Sequence, residues 1–211
     1  MSAAGPLPSL RAALQAEPIL LFLAGPNGSG KTTFFETYVE PLGLPYVNAD
    51  RIARLLRAHD PGRPAGEVDE TAFNEAERLR GALVEARLSF CTETVFSDPV
   101  RAKLRLLEDA RKRGFTVILV FIGLASAALS IARVKQRVRQ GGHDVPDERL
   151  RARFPRTLAN LREAVSIVDD AWLLDNSFYD TPYRVVAVYR DGRLVSRHPP
   201  LPVWTRGLPE L

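Results

Sequence analysis

One stretch of nine residues restricts this chain more than any other. Pro18–Ala24 (PILLFLA) is a continuous apolar run, and it stops at GPNGSGKTT. Gly25, Pro26, Asn27, Gly28, Ser29, Gly30, Lys31 and Thr32 match the pattern G-x-x-x-x-G-K-[ST] in full. An apolar run of this length reads as a strand buried on both faces. Glycines after such a strand let backbone N–H groups converge on phosphate oxygens, and a following helix adds the positive end of its dipole. Lys31 is placed to reach β- and γ-phosphates, the Thr32 hydroxyl to ligate Mg²⁺, and Thr33 closes the cradle. A dinucleotide site is disfavoured, because no third glycine completes G-x-G-x-x-G after Gly28 and Gly30.

The rest of the chain alternates strand-like and helical segments, which argues for a parallel sheet covered on both sides. Strand-like runs fall at 19–24, 45–49, 88–92, 115–123 and 171–174. YRVVAVYR and GRLVSRH flank Asp191-Gly192, a two-residue hairpin signal. Helical spacing covers the stretch after GPNGSGKTT to about 39, then 50–59, 70–86, 99–113, 125–140 and 147–168. The expected fold is therefore α/β, a P-loop NTPase three-layer sandwich of about five parallel strands with a C-terminal β-hairpin. Residues 1–18 read as a leader with a short helix over Ser9–Ala16, and residues 19–211 as the phosphate-binding domain. In such sheets ligands collect beyond the carboxyl ends of the strands.

Composition excludes several classes. Apolar residues make up 45% and charged residues 26% of the 211, so disorder, fibrous repeats and a disulfide scaffold are out. Cys91 is the single cysteine and reads as a buried core residue; with three scattered histidines it makes no zinc site. Pro18–Ala24 is far short of the roughly 20 residues that cross a bilayer. No basic-then-apolar segment opens the chain, so the expectation is a cytoplasmic protein without a membrane partner. Net charge is +4, but Arg133–Arg162 alone holds nine basic and three acidic residues. A concentrated arginine field implies an anionic partner.

Candidate chemistry sits at the predicted strand ends. Asp50 follows the second strand, where a carboxylate accepts the proton of a substrate hydroxyl; the position equally suits a helix N-cap. Glu93, Thr94 and Ser97 follow the third strand, placed to hydrogen-bond a polyhydroxyl substrate, with Glu93 also able to hold Mg²⁺ through water. The competing reading is a surface turn with Ser97 or Asp98 capping the next helix. Arg133 and Arg137 share one helix face, as do Arg149, Arg153 and Arg156. Between the groups lies Gly141-Gly142, which reads as a flexible joint in an arginine-rich lid over about residues 125–165. Such arginines neutralise charge on a transferring phosphoryl group. His143, in the loop, has a phosphate-binding reading and a local-capping one. The fourth strand ends at Gly123 rather than at an aspartate, which weighs against a motor and for a small kinase.

GPNGSGKTT, NAD (Asn48–Asp50), ETVFS (Glu93–Ser97), RV-x-x-RV-x-x-GGHDVP (Arg133–Pro146) and RFPRTLANL (Arg153–Leu161) together resemble zeta-toxin-like P-loop kinases, in a bacterial branch described as predicted ATPases. The likeness spans about Ile19–Ser177, and the GGHDVP lid departs from the prototype toxins. The resemblance implies ATP and Mg²⁺ as cofactors, held by the cradle, Lys31 and Thr32, with Arg133 on the nucleotide side. It implies Asp50 as base, Glu93 and Thr94 on the acceptor, and Arg137 with Arg153 or Arg156 on phosphate. It further implies a hydroxyl acceptor such as UDP-N-acetylglucosamine, an antitoxin as partner, and Asn176 near the adenine. Two other readings stay open. One is a nucleic-acid end kinase, disfavoured because Phe154 is the lone aromatic among the arginines. The other is a nucleotide-gated binding module without transfer.

Overall fold

The computed structural model describes residues 18–142 and 144–211. The expected helix over Ser9–Ala16 and the loop histidine His143 lie outside them. Seven strands form one sheet in the order β2-β3-β1-β4-β5-β6-β7. They are β1 (Ile19–Ala24), β2 (Tyr46–Val47), β3 (Phe90–Thr94), β4 (Thr116–Gly123), β5 (Asp170–Asp175), β6 (Arg184–Arg190) and β7 (Arg193–Arg197). The first five run parallel, and the last two add an antiparallel hairpin at one edge. The expected count and hairpin are both found.

β1 is buried along its whole length because its alternating side chains feed two cores. Leu20, Phe22 and Ala24 join one with Phe96, Leu104, Leu107 and Leu161. Ile19, Leu21 and Leu23 join the other with Phe34, Phe35 and Val39. A strand buried on both faces has no polar phase, so its sequence reads as an unbroken apolar run. The helices are α1 (Lys31–Phe34, continuing as a π-helical turn Phe35–Val39), α2 (Ala49–His59), α3 (Ala65–Glu85), α4 (Ala102–Lys112), α5 (Ala127–Arg139) and α6 (Asp147–Ala164).

Two departures from the sequence expectation matter for the site. α3 starts at Ala65, inside the Gly/Pro-rich stretch, because buried Val68 packs with Ala53 and Ala72 against α2. β3 lies two residues later than 88–92; Arg87 breaks the helix with a positive φ of 55°, and Leu88 is left exposed. Glu93 and Thr94 are therefore strand residues, paired in register with Leu23 and Ala24, not loop residues. Gly141-Gly142 stops α5, where the helical spacing over 125–140 ends. Gly141 N–H bonds to Val138 O at 2.9 Å and Gly142 N–H to Arg137 O at 3.0 Å, with Gly141 at φ +85°. This is the Schellman arrangement. A Cβ on Gly142 would lie 2.5 Å from Arg137 Cγ, so the glycine is needed for close approach. Ile131, Val134, Val145 and Leu150 form a small core between α5 and α6, and Lys135 pairs with Asp147 at 2.8 Å. The arginine-rich segment is one packed unit.

Candidate functional site

Residues 25–30 turn between β1 and α1 with Gly25, Gly28 and Gly30 all at positive φ. A Cβ at Gly25 would sit 2.2 Å from Ile122 O, inside van der Waals contact, so no other residue fits. The loop carbonyls are held from outside. Lys31 Nζ donates to Gly25 O at 2.9 Å and Pro26 O at 3.0 Å. Ser130 Oγ donates to Asn27 O at 2.7 Å, Asn176 Nδ2 to Ser29 O at 2.8 Å, and Tyr183 Oη to Gly30 O at 2.9 Å. Carbonyls tied outward leave the amides of the helix entrance for an anion. The Ser29 hydroxyl is buried without a hydrogen-bond partner. Asn176 braces the loop through its side-chain amide.

Lys31 is buried, and burial pushes its ammonium pKa down; Glu93 and Asp50 oppose that shift, and Arg137 adds to it. A buried ammonium opposite two carboxylates is stabilised by a further anion, which is the chemistry of a phosphate. Thr32 Oγ1 donates to the Glu93 carboxylate, at 3.1 Å to Oε2 and 3.3 Å to Oε1. One hydroxyl and one carboxylate, with room for phosphate and water, suit Mg²⁺. Among the described residues no three His, Cys, Asp or Glu side chains gather as a metal cluster. Glu93 also accepts from Tyr46 Oη. Burial and the charge of Glu93 push the Tyr46 phenol far above its ordinary value.

Asn48, not Asp50, caps α2: its Oδ1 accepts from Arg51 N–H at 3.1 Å. Asp50 is thus relieved of the capping task and lies exposed in the first turn, facing the cleft. This cleft, of about 500 Å³, opens beside Asn27 and gathers Asp50, Glu93, Thr94 and Ser97 with Arg137, Arg149, Arg153 and Arg156. The N-cap position of α4 is Arg101; Asp98 Oδ2 accepts from the Ala102 N–H at 2.6 Å, and Ser97 lines the cleft. Burial lowers the pKa of Arg153, Arg149 and Arg156 lower it further, and Asp50 opposes them.

Arg133 stands apart from this group. Its Cβ abuts Gly28, its guanidinium carbon lies 5.2 Å from the Tyr179 ring centroid, and Nη2 reaches Ser177 O at 3.4 Å. It flanks the cradle beside Gly28 and does not line the cleft. Thr33 is an exposed residue of α1. Cys91 is buried in the core, and burial pushes its thiol pKa up.

Sequence reasoning missed the residues that hold the site. Arg80 and Lys103 are buried in the cleft wall and share Glu77, while Arg80 Nε also donates to Thr92 Oγ1 at 2.7 Å. Thr157 Oγ1 donates to Val95 O at 2.9 Å, and Asn160 Nδ2 to Phe96 O at 3.0 Å and Asp98 O at 3.1 Å. These bonds fasten α6, which carries the arginines, to the ETVFS segment. The signal was present in RFPRTLANL, whose polar residues at helical spacing face inward.

A mostly parallel sheet with this loop after its first strand, and a cleft at the strand ends, is the fold of the P-loop kinases. Residues 20–157 match the AAA domain family, and the chain belongs to it. An uncharacterized protein of Haemophilus influenzae is 26% identical over 134 residues, 64% of this chain and 91% of that protein. Among solved structures, the AvrRxo1-ORF1:AvrRxo1-ORF2 complex with sulphate ions superposes with a TM-score of 0.69 at 19% identity, covering 89% of this chain and 62% of that one. The same complex with ATP gives 0.62 at 19% identity and the same coverage. A chain of the Streptococcus pneumoniae PezAT toxin–antitoxin system gives 0.60 at 19% identity, covering 85% of this chain and 77% of that one. The fold is that of zeta-toxin-like P-loop kinases. No helix among the described residues is long and apolar enough to cross a membrane.

Proposed function

We propose that the protein is an ATP- and Mg²⁺-dependent phosphotransferase that moves the γ-phosphoryl group of ATP to a hydroxyl of a small acceptor, a nucleotide sugar such as UDP-N-acetylglucosamine being the first candidate. The observation that carries this reading is the shared cleft: a free carboxylate, Asp50, and four arginines open into one volume at the mouth of the phosphate loop. The loop amides and Lys31 hold the triphosphate, giving up the contacts of Lys31 with Gly25 O and Pro26 O. Thr32 and Glu93 would hold Mg²⁺, which when bound neutralises phosphate charge.

Asp50 takes the proton of the acceptor hydroxyl as its oxygen bonds to the γ-phosphorus. The bond from that phosphorus to the β–γ bridging oxygen breaks, and ADP leaves. Arg137, Arg153 and Arg156 offset the charge on the moving group. Thr94 and Ser97 orient the acceptor from the β3 side. Arg133 and the Tyr179 ring flank the base side of the nucleotide. Because one similar structure belongs to a toxin–antitoxin system, a protein antitoxin is carried as a proposed partner.

The test is a panel of nucleotide sugars, nucleosides and short oligonucleotides incubated with γ-labelled ATP, with products identified by mass. A phosphorylated small hydroxyl acceptor is the expected product. Label appearing only on oligonucleotide ends would replace this reading with end processing, although Phe154 does not line the cleft to stack a base. ATP-driven closure with no product would leave a nucleotide-gated binding module.

A further inference from the structure

Tyr46 is not part of any chemistry described above, yet it stands where two working parts of the site meet. Its phenol donates to Glu93, whose carboxylate also accepts from the Thr32 hydroxyl. The same phenol oxygen accepts from Asn48 Nδ2 at 2.8 Å. Asn48 is buried, and its other side-chain atom caps α2, the helix that presents Asp50. The Tyr46 ring lies flat on Phe35, centroids 3.5 Å apart and planes within 9°. Phe35 opens the π-helical turn that continues the loop helix.

We propose that Tyr46 is a positioning residue that couples the Thr32–Glu93 metal-binding pair to the Asp50 helix. A phenol has one proton to give, and here it goes to Glu93; its acceptor lone pair goes to Asn48. The direction of the chain is therefore set: Asn48 to Tyr46 to Glu93. Two hydroxyls from different elements fix the orientation of the Glu93 carboxylate, and outer partners of this kind set the affinity of a ligand for its metal. The stack on Phe35 fixes the ring, so the hydroxyl does not swing with solvent. Movement of Glu93 onto a cation is then felt at the cap of α2, one residue pair from Asp50.

The inference rests on the proposed use of Mg²⁺ and ATP, and the test separates the two. ATP affinity is measured by calorimetry on the full-length protein with and without Mg²⁺, giving a metal-dependent gain for each variant. Tyr46→Phe keeps the stack and removes only the hydroxyl. Its gain is expected to fall roughly 10-fold, the lower end for loss of an outer-shell partner, with metal-free ATP affinity within about twofold and Tm lowered only as far as the orphaned Asn48 amide requires. Asn48→Ser keeps an N-cap acceptor but loses the donor to Tyr46, so its gain falls by a smaller factor. This second variant decides the matter if Tyr46→Phe does not fold. An undiminished gain in Tyr46→Phe, or in Asn48→Ser where that variant decides, overturns the role of Tyr46 and leaves the functional reading intact. Absence of any gain in the wild type overturns both.

Discussion

The two walls of the cleft are built on opposite rules. On the loop wall the carbonyls are tied to Lys31, Ser130, Asn176 and Tyr183, and Thr32 to Glu93 to Tyr46 to Asn48, with the Ser29 hydroxyl the exception among the described residues. On the facing wall Arg149, Arg153 and Arg156 repel one another, and among the described residues none of them forms an ion pair. The first wall is preorganised, so a ligand there meets fixed dipoles at little cost of reorganisation. The second stores like-charge repulsion that an anion relieves. The difference teaches that the helix bonded to the ETVFS segment by Thr157 and Asn160 has its rigidity below the arginines, while the arginines themselves await a partner.

The comparison breaks hardest at Lys31. Lys31→Ala removes the buried cation that braces the loop, and transfer is expected to fall about 10²–10³-fold with loss of ATP affinity in a calorimetric titration. On the other wall the load is shared among three side chains. Arg153→Ala is expected to cost on the order of 10-fold in kcat/KM. Because it also relieves repulsion, its Tm should equal or exceed that of the wild type, an outcome a structural arginine would not give.

The fastening between the walls comes next. Asn160→Ala leaves the Phe96 and Asp98 carbonyls without their donor, and unfolding free energy is expected to drop by about 1–3 kcal/mol in a urea titration. The smallest effect concerns Cys91. Its buried thiol, held protonated by burial, should resist iodoacetamide in the folded protein and react only once urea unfolds it. Reaction of the native protein at the rate of a free thiol would mean that β3 opens.

These walls were legible to different degrees in the sequence. The ordered wall announces itself because its chemistry requires fixed residue types at fixed spacing, and glycines at positive φ leave no substitutes. The parallel sheet was readable for a related reason: β1 and β4 are buried on both faces, so their apolar runs are unbroken. The strand end at Glu93 was misplaced by two residues, since exposed Leu88 looks like core in sequence but belongs to the turn before β3. The Gly-Gly pair ends α5 where the helical spacing ends, and Arg137 packs against Gly142. Tyr46, Arg80 and Lys103 escaped notice because their roles depend on contacts 12 to 47 residues away, which no local spacing encodes.

The most direct test of the account measures Asp50→Asn twice, once for Mg²⁺·ATP binding by calorimetry and once for phosphoryl transfer to the acceptor found in the panel. A carboxylate that serves only the acceptor hydroxyl predicts binding within about twofold of wild type and transfer lower by about 10²–10⁴-fold. Transfer at the wild-type rate, or binding lost together with transfer, would contradict it.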